Sequence, residues 1–168
     1  MKRKLHTLLL LCFAAAVGCS SDPPYYKQRA VPIDEAAATT HDLQVLATQA
    51  ALKYGIDRRL FHALIKHESN WKPDAISPKG ARGLTQIMPR TGKNQCGLER
   101  EVLFDPALNL DCGAFYFSKL LKRFRSVKLA LAAYNSGETR VARLGRVPRI
   151  RETQRYVKRV MSSWRRNQ

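Results

Sequence analysis

Glu68 occupies a position where helical spacing asks for an apolar side chain. Phe61, Leu64, Ile65 and Trp71 recur at that spacing and predict one buried stripe. Glu68 lies four residues after Leu64, three after Ile65 and three before Trp71, so it points with them. Burial penalises the charged form of a carboxyl and raises its pKa, and a glutamate treated this way becomes a proton donor at neutral pH. Two plainer readings stand beside this one: a solvated glutamate at the edge of the stripe, or a buried one held in a structural pair.

The elements that must hold this carboxyl are helical. Asp57 is an N-cap for the helix carrying Glu68, which stops before Pro73. An earlier helix is predicted over residues 41–54, with Leu43, Leu46, Ala47, Ala50 and Tyr54 facing inward and Gly55 ending it. Residues 72–83 are rich in Gly, Pro and Ser and read as a loop. Asp105-Pro106 is a cap followed by a first-turn proline; the helix behind it reaches about residue 124 and buries Leu110, Ala114, Phe117, Leu120 and Leu121. Shorter helices follow over 127–135 and 139–144, and a last one starts near Ile150. No segment alternates with period two for long, so the fold class is all-α, with room for a minimal hairpin within 75–95. Asp57, Asp105 and Asp111 read as cap or helix-start residues.

Lys2, Arg3 and Lys4 followed by an apolar run over 8–17 make residues 1–18 a targeting leader, too short to span a bilayer. Residues 19–40, with Pro23, Pro24 and Pro32, read as a flexible linker, and 41–168 as one globular domain. Ala16-Val17-Gly18-Cys19 is similar to the lipobox of bacterial lipoproteins, although Ala16 stands where Leu is usual. On that reading Cys19 carries a lipid anchor; the alternative is ordinary cleavage after residue 16, leaving a plain thiol. Ser20 after Cys19, in place of the Asp that retains many lipoproteins in the inner membrane, points to the periplasmic side of an outer membrane.

Export leaves Cys96 and Cys112 in an oxidising compartment, where the simplest outcome is a disulfide. Zinc, with no metal site as the preferred reading, is the rival to that pairing, but no His neighbours either cysteine and no CxxC spacing exists. The formal net charge is +17, and loss of the leader's three basic residues leaves a strongly cationic chain. From Arg140 onward ten Lys/Arg face one acid, Glu152. Such a surface suits a polyanion: nucleic acid, anionic lipid or a carboxylate-rich wall, and export argues against nucleic acid. Arg140, Arg143, Arg151, Arg155, Lys158 and Arg159 are the residues that would meet it, unless they form only a solvated face.

Four segments in order carry a family resemblance: Glu68-Ser69 after Tyr54-Gly55-Ile56-Asp57; Gly80-Ala81-Arg82-Gly83-Leu84-Thr85-Gln86-Ile87-Met88-Pro89; Ala133-Tyr134-Asn135-Ser136-Gly137; and Thr153-Gln154-Arg155-Tyr156-Val157. Together they resemble the lysozyme-like lytic transglycosylases of the soluble-transglycosylase (SLT) type, which cut bacterial peptidoglycan. Thr85 stands where the family usually has Met, and Ser136 where Ala is commonest.

The resemblance implies a lysozyme-like fold and a reaction run by one carboxylate, without a cofactor. Glu68 would protonate the oxygen between N-acetylmuramic acid and N-acetylglucosamine, then act as base toward the sugar's own C6 hydroxyl, closing a 1,6-anhydro ring. It also implies substrate contacts. Ser77 would bond near the reacting sugar, with a loop-capping hydroxyl as the plain alternative. Gln86 and Met88 would line the glycan groove, or else fill the core. Tyr134 and Asn135 would close the site opposite Glu68, with the Tyr134 phenol orienting the carboxyl, and Tyr156 would be a further cleft tyrosine. Ser69 reads as a helix-end hydroxyl.

Two rivals remain at this stage. A goose-lysozyme-like hydrolase needs a second carboxylate or a held water facing Glu68, for which Asp74 is the remote candidate. A non-catalytic wall-binding component of a secretion or conjugation system would use the basic surface alone.

Overall fold

The computed structural model describes residues 39–166. The leader, residues 19–38 of the linker and Cys19 lie outside the described residues. Seven α-helices order the rest: α1 Thr40–Lys53, α2 Arg58–Glu68, α3 Pro89–Thr91, α4 Pro106–Phe124, α5 Val127–Ser136, α6 Glu138–Leu144 and α7 Arg151–Arg166. A π-helical turn, Gly92–Cys96, and a 3-10 turn, Glu101–Phe104, lie between α3 and α4.

The helix ends are written in local chemistry. Thr39 and Asp42 form a reciprocal capping box at the start of α1, with Thr39 N–H donating to Asp42 Oδ2 at 3.0 Å. Asp57 accepts from the N–H groups of Arg59 and Leu60 at the start of α2, and Asp105 from Leu108 N–H at the start of α4. Asp111 differs from its reading as a cap. It sits inside α4 and receives Lys53 Nζ and the Tyr54 hydroxyl, tying the end of α1 to α4.

α2 packs on α1 and α7, α4 on α1 and α5, and α5 on α6 and α7. Phe61, Leu64 and Ile65 from α2 meet Leu43, Phe117, Leu131 and Val160 in one core. Leu110, Ala114 and Leu120 are buried as their spacing predicts, while Leu46, Tyr54 and Leu121 are half-buried against the core.

Trp71 is not on the α2 stripe. The helix ends at Glu68, Ser69 caps it, and Asn70 and Trp71 take positive φ of 54° and 66°. The chain therefore turns sharply just past the carboxyl, and two non-glycine residues accept a left-handed backbone to do so.

The segment 72–88 contains no strand. Arg82 bridges to both Ile76 and Ile87, with a reciprocal pair of backbone hydrogen bonds between Arg82 and Ile87 at 3.0 Å. A buried asparagine of α4 ties this loop down at four points. Asn109 Oδ1 accepts from Thr85 N–H at 2.8 Å and Thr85 O–H at 2.7 Å. Its Nδ2 donates to the carbonyls of Arg82 and Leu103 at 3.0 and 2.8 Å. All four hydrogen-bonding positions of the amide are thus used. Gly83 and Gly113 allow the approach, because a Cβ on either would overlap Asn109 or Thr85. Cys96 and Cys112 are joined as a disulfide, which fastens the same region to α4.

Candidate active site

Glu68 is the last residue of α2, half-buried at the floor of a cleft of about 360 Å³. The 72–88 loop contributes Ser77, Lys79, Gln86 and Met88 to its walls; α5 contributes Tyr134 and Asn135, and α7 contributes Glu152. Beside Glu68, His67 Nε2 lies 2.8 Å from Ser163 Oγ, joining the end of α2 to α7.

Tyr156 of α7 holds the carboxyl: its buried phenol donates to Glu68 Oε1 at 2.6 Å. Burial pushes the Glu68 pKa up from 4.5 to about 7; the Tyr156 hydrogen bond opposes the shift and the negative charge of Glu152 adds to it. The phenols of Tyr156 and Tyr134 are held well above their ordinary range, chiefly by burial and then by the Glu68 charge, so both remain donors.

The tyrosines exchange the parts expected of them. Tyr134, expected to orient the carboxyl, gives its O–H instead to the Thr85 carbonyl at 2.8 Å and packs edge-on against Phe117. It supports the wall of the cleft, and Tyr156 is the residue that touches Glu68. Helical period alone places both rings inward; which phenol reaches the carboxyl depends on how α5 and α7 cross α2.

The remaining candidates divide by what their polar atoms do. Ser77 Oγ accepts from Ala81 N–H at 3.0 Å, a loop cap, while still facing the cleft. Gln86, at φ 51°, spends its amide nitrogen on the carbonyls of Ala75 and Gly83 at 3.1 and 3.0 Å, and its oxygen accepts from no donor among the described residues. Met88 is 42% exposed, so it is a cleft surface rather than core filling. Thr85, the departure from the resembled pattern, turns its side chain to buried Asn109. Ser136 Oγ returns to the Ala132 carbonyl of its own helix at 2.7 Å. Ser69 is a helix-end residue, as read.

Sequence reasoning missed Glu152 and Lys79. Glu152 shares the cleft with Glu68, whereas Asp74 is exposed and lies outside the cleft lining. Lys79 Nζ lies 3.6 Å from Glu152 Oε2, an exposed ion pair joining the loop to α7 across the cleft. The signal was available: Glu152 stands four residues before Tyr156, so a helix that turns Tyr156 toward Glu68 brings Glu152 with it. Among the described residues no cluster of His, Cys, Asp and Glu is arranged to hold a metal ion.

A half-buried carboxyl poised near neutrality, one phenol donor on it, and a groove offering an amide oxygen, hydroxyls and a thioether can donate a proton to a bound ether or glycosidic oxygen and take one back. Comparison with known proteins points the same way. Residues 45–157 match the family model for the transglycosylase SLT domain. The membrane-bound lytic murein transglycosylase F 1 of Alkalilimnicola ehrlichii is 38% identical over 96 residues, covering 53% of this chain and 19% of that protein. The membrane-bound lytic murein transglycosylase C of Mannheimia succiniciproducens is 36% identical over 115 residues, covering 59% and 32%. Among solved structures, an inactive glutamate-to-glutamine mutant of the lytic transglycosylase Slt from Pseudomonas aeruginosa superposes with a TM-score of 0.66 at 29% identity, covering 72% of this chain and 23% of that one. The 70-kDa soluble lytic transglycosylase in complex with bulgecin A gives 0.65 at 28%, covering 73% and 24%. The chain therefore spans about a fifth to a third of the length of these relatives.

Proposed function

The chain belongs to the transglycosylase SLT domain family, and on that premise we propose that it is a peptidoglycan lytic transglycosylase with Glu68 as its acid and base. The observation that carries the reading is the Glu68 carboxyl, raised to about 7 at the floor of the cleft and held by Tyr156. In the neutral form it donates its proton to the oxygen linking N-acetylmuramic acid to N-acetylglucosamine as the C1–O bond breaks. The carboxylate so formed takes the proton of the C6 hydroxyl of the muramic residue while O6 bonds to C1. Glu68 ends as it began, and the glycan end carries a 1,6-anhydro ring. Tyr156 strengthens its bond as negative charge develops on Oε1, which is where transition-state stabilisation is needed. The Gln86 oxygen, Ser77 and Asn135 bind sugar hydroxyls or acetamido groups on this reading, and Met88 lies on a ring face; their place in the cleft lining supports it.

The names of the relatives, membrane-bound among them, favour an exported, membrane-associated enzyme. The leader and Cys19 extend this to a lipid anchor, with Ser20 favouring the outer membrane.

Glu152 keeps a second reading open. Two carboxylates in one cleft are what a hydrolase uses, with Glu152 activating a water. Its ion pair with Lys79 and its place on the cleft rim favour a substrate-side role instead. Mass spectrometry of muropeptides released from purified sacculi by residues 20–168 decides. Products one water lighter than hydrolytic fragments, absent with Glu68→Gln, are expected. Reducing ends that vanish with Glu152→Gln establish the hydrolase, and release undiminished by Glu68→Gln overturns both readings.

A further inference from the structure

A second hollow, of about 680 Å³, opens along α7 away from the cleft. Gln154, Val157, Lys158, Met161, Ser162 and Arg165 recur every three or four residues and form its α7 wall. Tyr156 is two residues from both Gln154 and Lys158, about 160° around the helix, so one helix presents a glycan-facing side and a separate groove. Lys128, in the first turn of α5, and Val147, between α6 and α7, complete the lining.

The chemistry of this groove is specific. Its floor is apolar: Val157 is buried, and Val147 and Met161 are half-buried. Its rim carries Lys128, Lys158, Arg165 and Arg166, and among the described residues no acid lines it. None of these four cations forms an ion pair with another described residue. An apolar trough with an uncompensated cationic rim concentrates positive potential where a partner would desolvate it.

We propose that this groove docks an acidic amphipathic segment of a partner protein, its apolar side chains on Val147, Val157 and Met161 and its carboxylates on the rim. A second copy of this chain is a poor occupant, since it brings the same positive excess. A flat membrane surface does not enter a trough, and the Gln154 amide and Ser162 hydroxyl along the wall match the hydrogen-bonding needs of a peptide. The site is independent of the glycan chemistry proposed for the cleft, and so is its test.

The experiment selects short random peptides displayed on phage against the whole chain, then measures a synthesised winner by fluorescence anisotropy. Winners pairing Asp or Glu with Leu, Ile, Phe or Met are expected. Their affinity should fall about tenfold or more in Lys158→Glu and in Met161→Lys, with the helical circular-dichroism spectrum unchanged. Lys158 is exposed, so its reversal leaves the fold intact. Winners lacking acids, affinity untouched by either substitution, equal binding of polyglutamate, or groove-dependent binding only to phosphatidylglycerol vesicles or to wall peptides each overturn the proposal.

Discussion

Tyr156→Phe isolates the one hydrogen bond made to the Glu68 carboxyl among the described residues. The substitution keeps the buried ring and removes only the O–H that lies 2.6 Å from Oε1. That bond favours the carboxylate, against burial and Glu152, which favour the acid. A hydrogen bond to a charged group contributes about 1.5–3 kcal/mol. One pKa unit corresponds to about 1.36 kcal/mol, so the Glu68 pKa should climb from about 7 by about 1–2 units. Catalysis begins from the neutral acid, so kcat/KM falls as pH rises through this pKa, and the falling limb should move upward by the same amount. The plateau at low pH should drop about 10- to 100-fold, because the same bond no longer stabilises the carboxylate forming in the transition state. The assay is release of anhydro-muropeptides from sacculi across a pH series, with Tyr134→Phe alongside. Tyr134 bonds the Thr85 carbonyl, so its substitution should lower stability and leave the limb in place. A Tyr156→Phe limb that stays put or moves down would refute the assignment of the phenol as carboxyl donor, as would a limb that moves equally in Tyr134→Phe.

Glu68→Gln should abolish release yet stabilise the fold above neutrality. The folded pKa is raised above the unfolded value, so the folded state retains a proton that the unfolded chain has lost between about pH 4.5 and 7. Stability from this group drains over that window as pH rises, by about 3 kcal/mol in all. The Tm advantage of the variant should therefore be absent at pH 4 and full by pH 8; a gap independent of pH contradicts the raised pKa. Asn109→Leu removes four hydrogen bonds. Thr85 O–H keeps the backbone carbonyl of residue 109 and the Arg82 carbonyl keeps Ile87 N–H, but Thr85 N–H and the Leu103 carbonyl lose their side-chain partner, which should cost roughly 2–5 kcal/mol by urea unfolding, far more than a surface change. Reducing Cys96–Cys112, which closes a sequence separation of 16, should lower stability by about 3 kcal/mol in reversible denaturation.

How much of this was legible follows from which forces are local. Helix caps are satisfied within three residues, so Asp57 and Asp105 announced their helices, and Gly55 with φ 67° marked the end of α1. The apolar period of α2 placed Phe61, Leu64 and Ile65 in the core, and the same period exposed Glu68 as the misfit among them. The short turns at Pro89–Thr91, Gly92–Cys96 and Glu101–Phe104 have no period to read, because pieces that brief form by packing: the first on the second, and the other two on α4.

The chain's own residues thus determined that it would be helical, where the long helices begin, and that a carboxyl would be turned toward the core. Only the tertiary structure decided what that carboxyl meets. Tyr156 reaches it across 88 positions of sequence while Tyr134 turns to Thr85, and Glu152 joins the cleft while Asp74 stays outside it. Such choices depend on how α5 and α7 cross α2, and crossing geometry is set by side chains from several helices at once rather than by any one segment. The same holds for Asn109, which besides nearby Leu103 bonds Thr85 and Arg82, 24 and 27 positions away, a role that no window around it reveals.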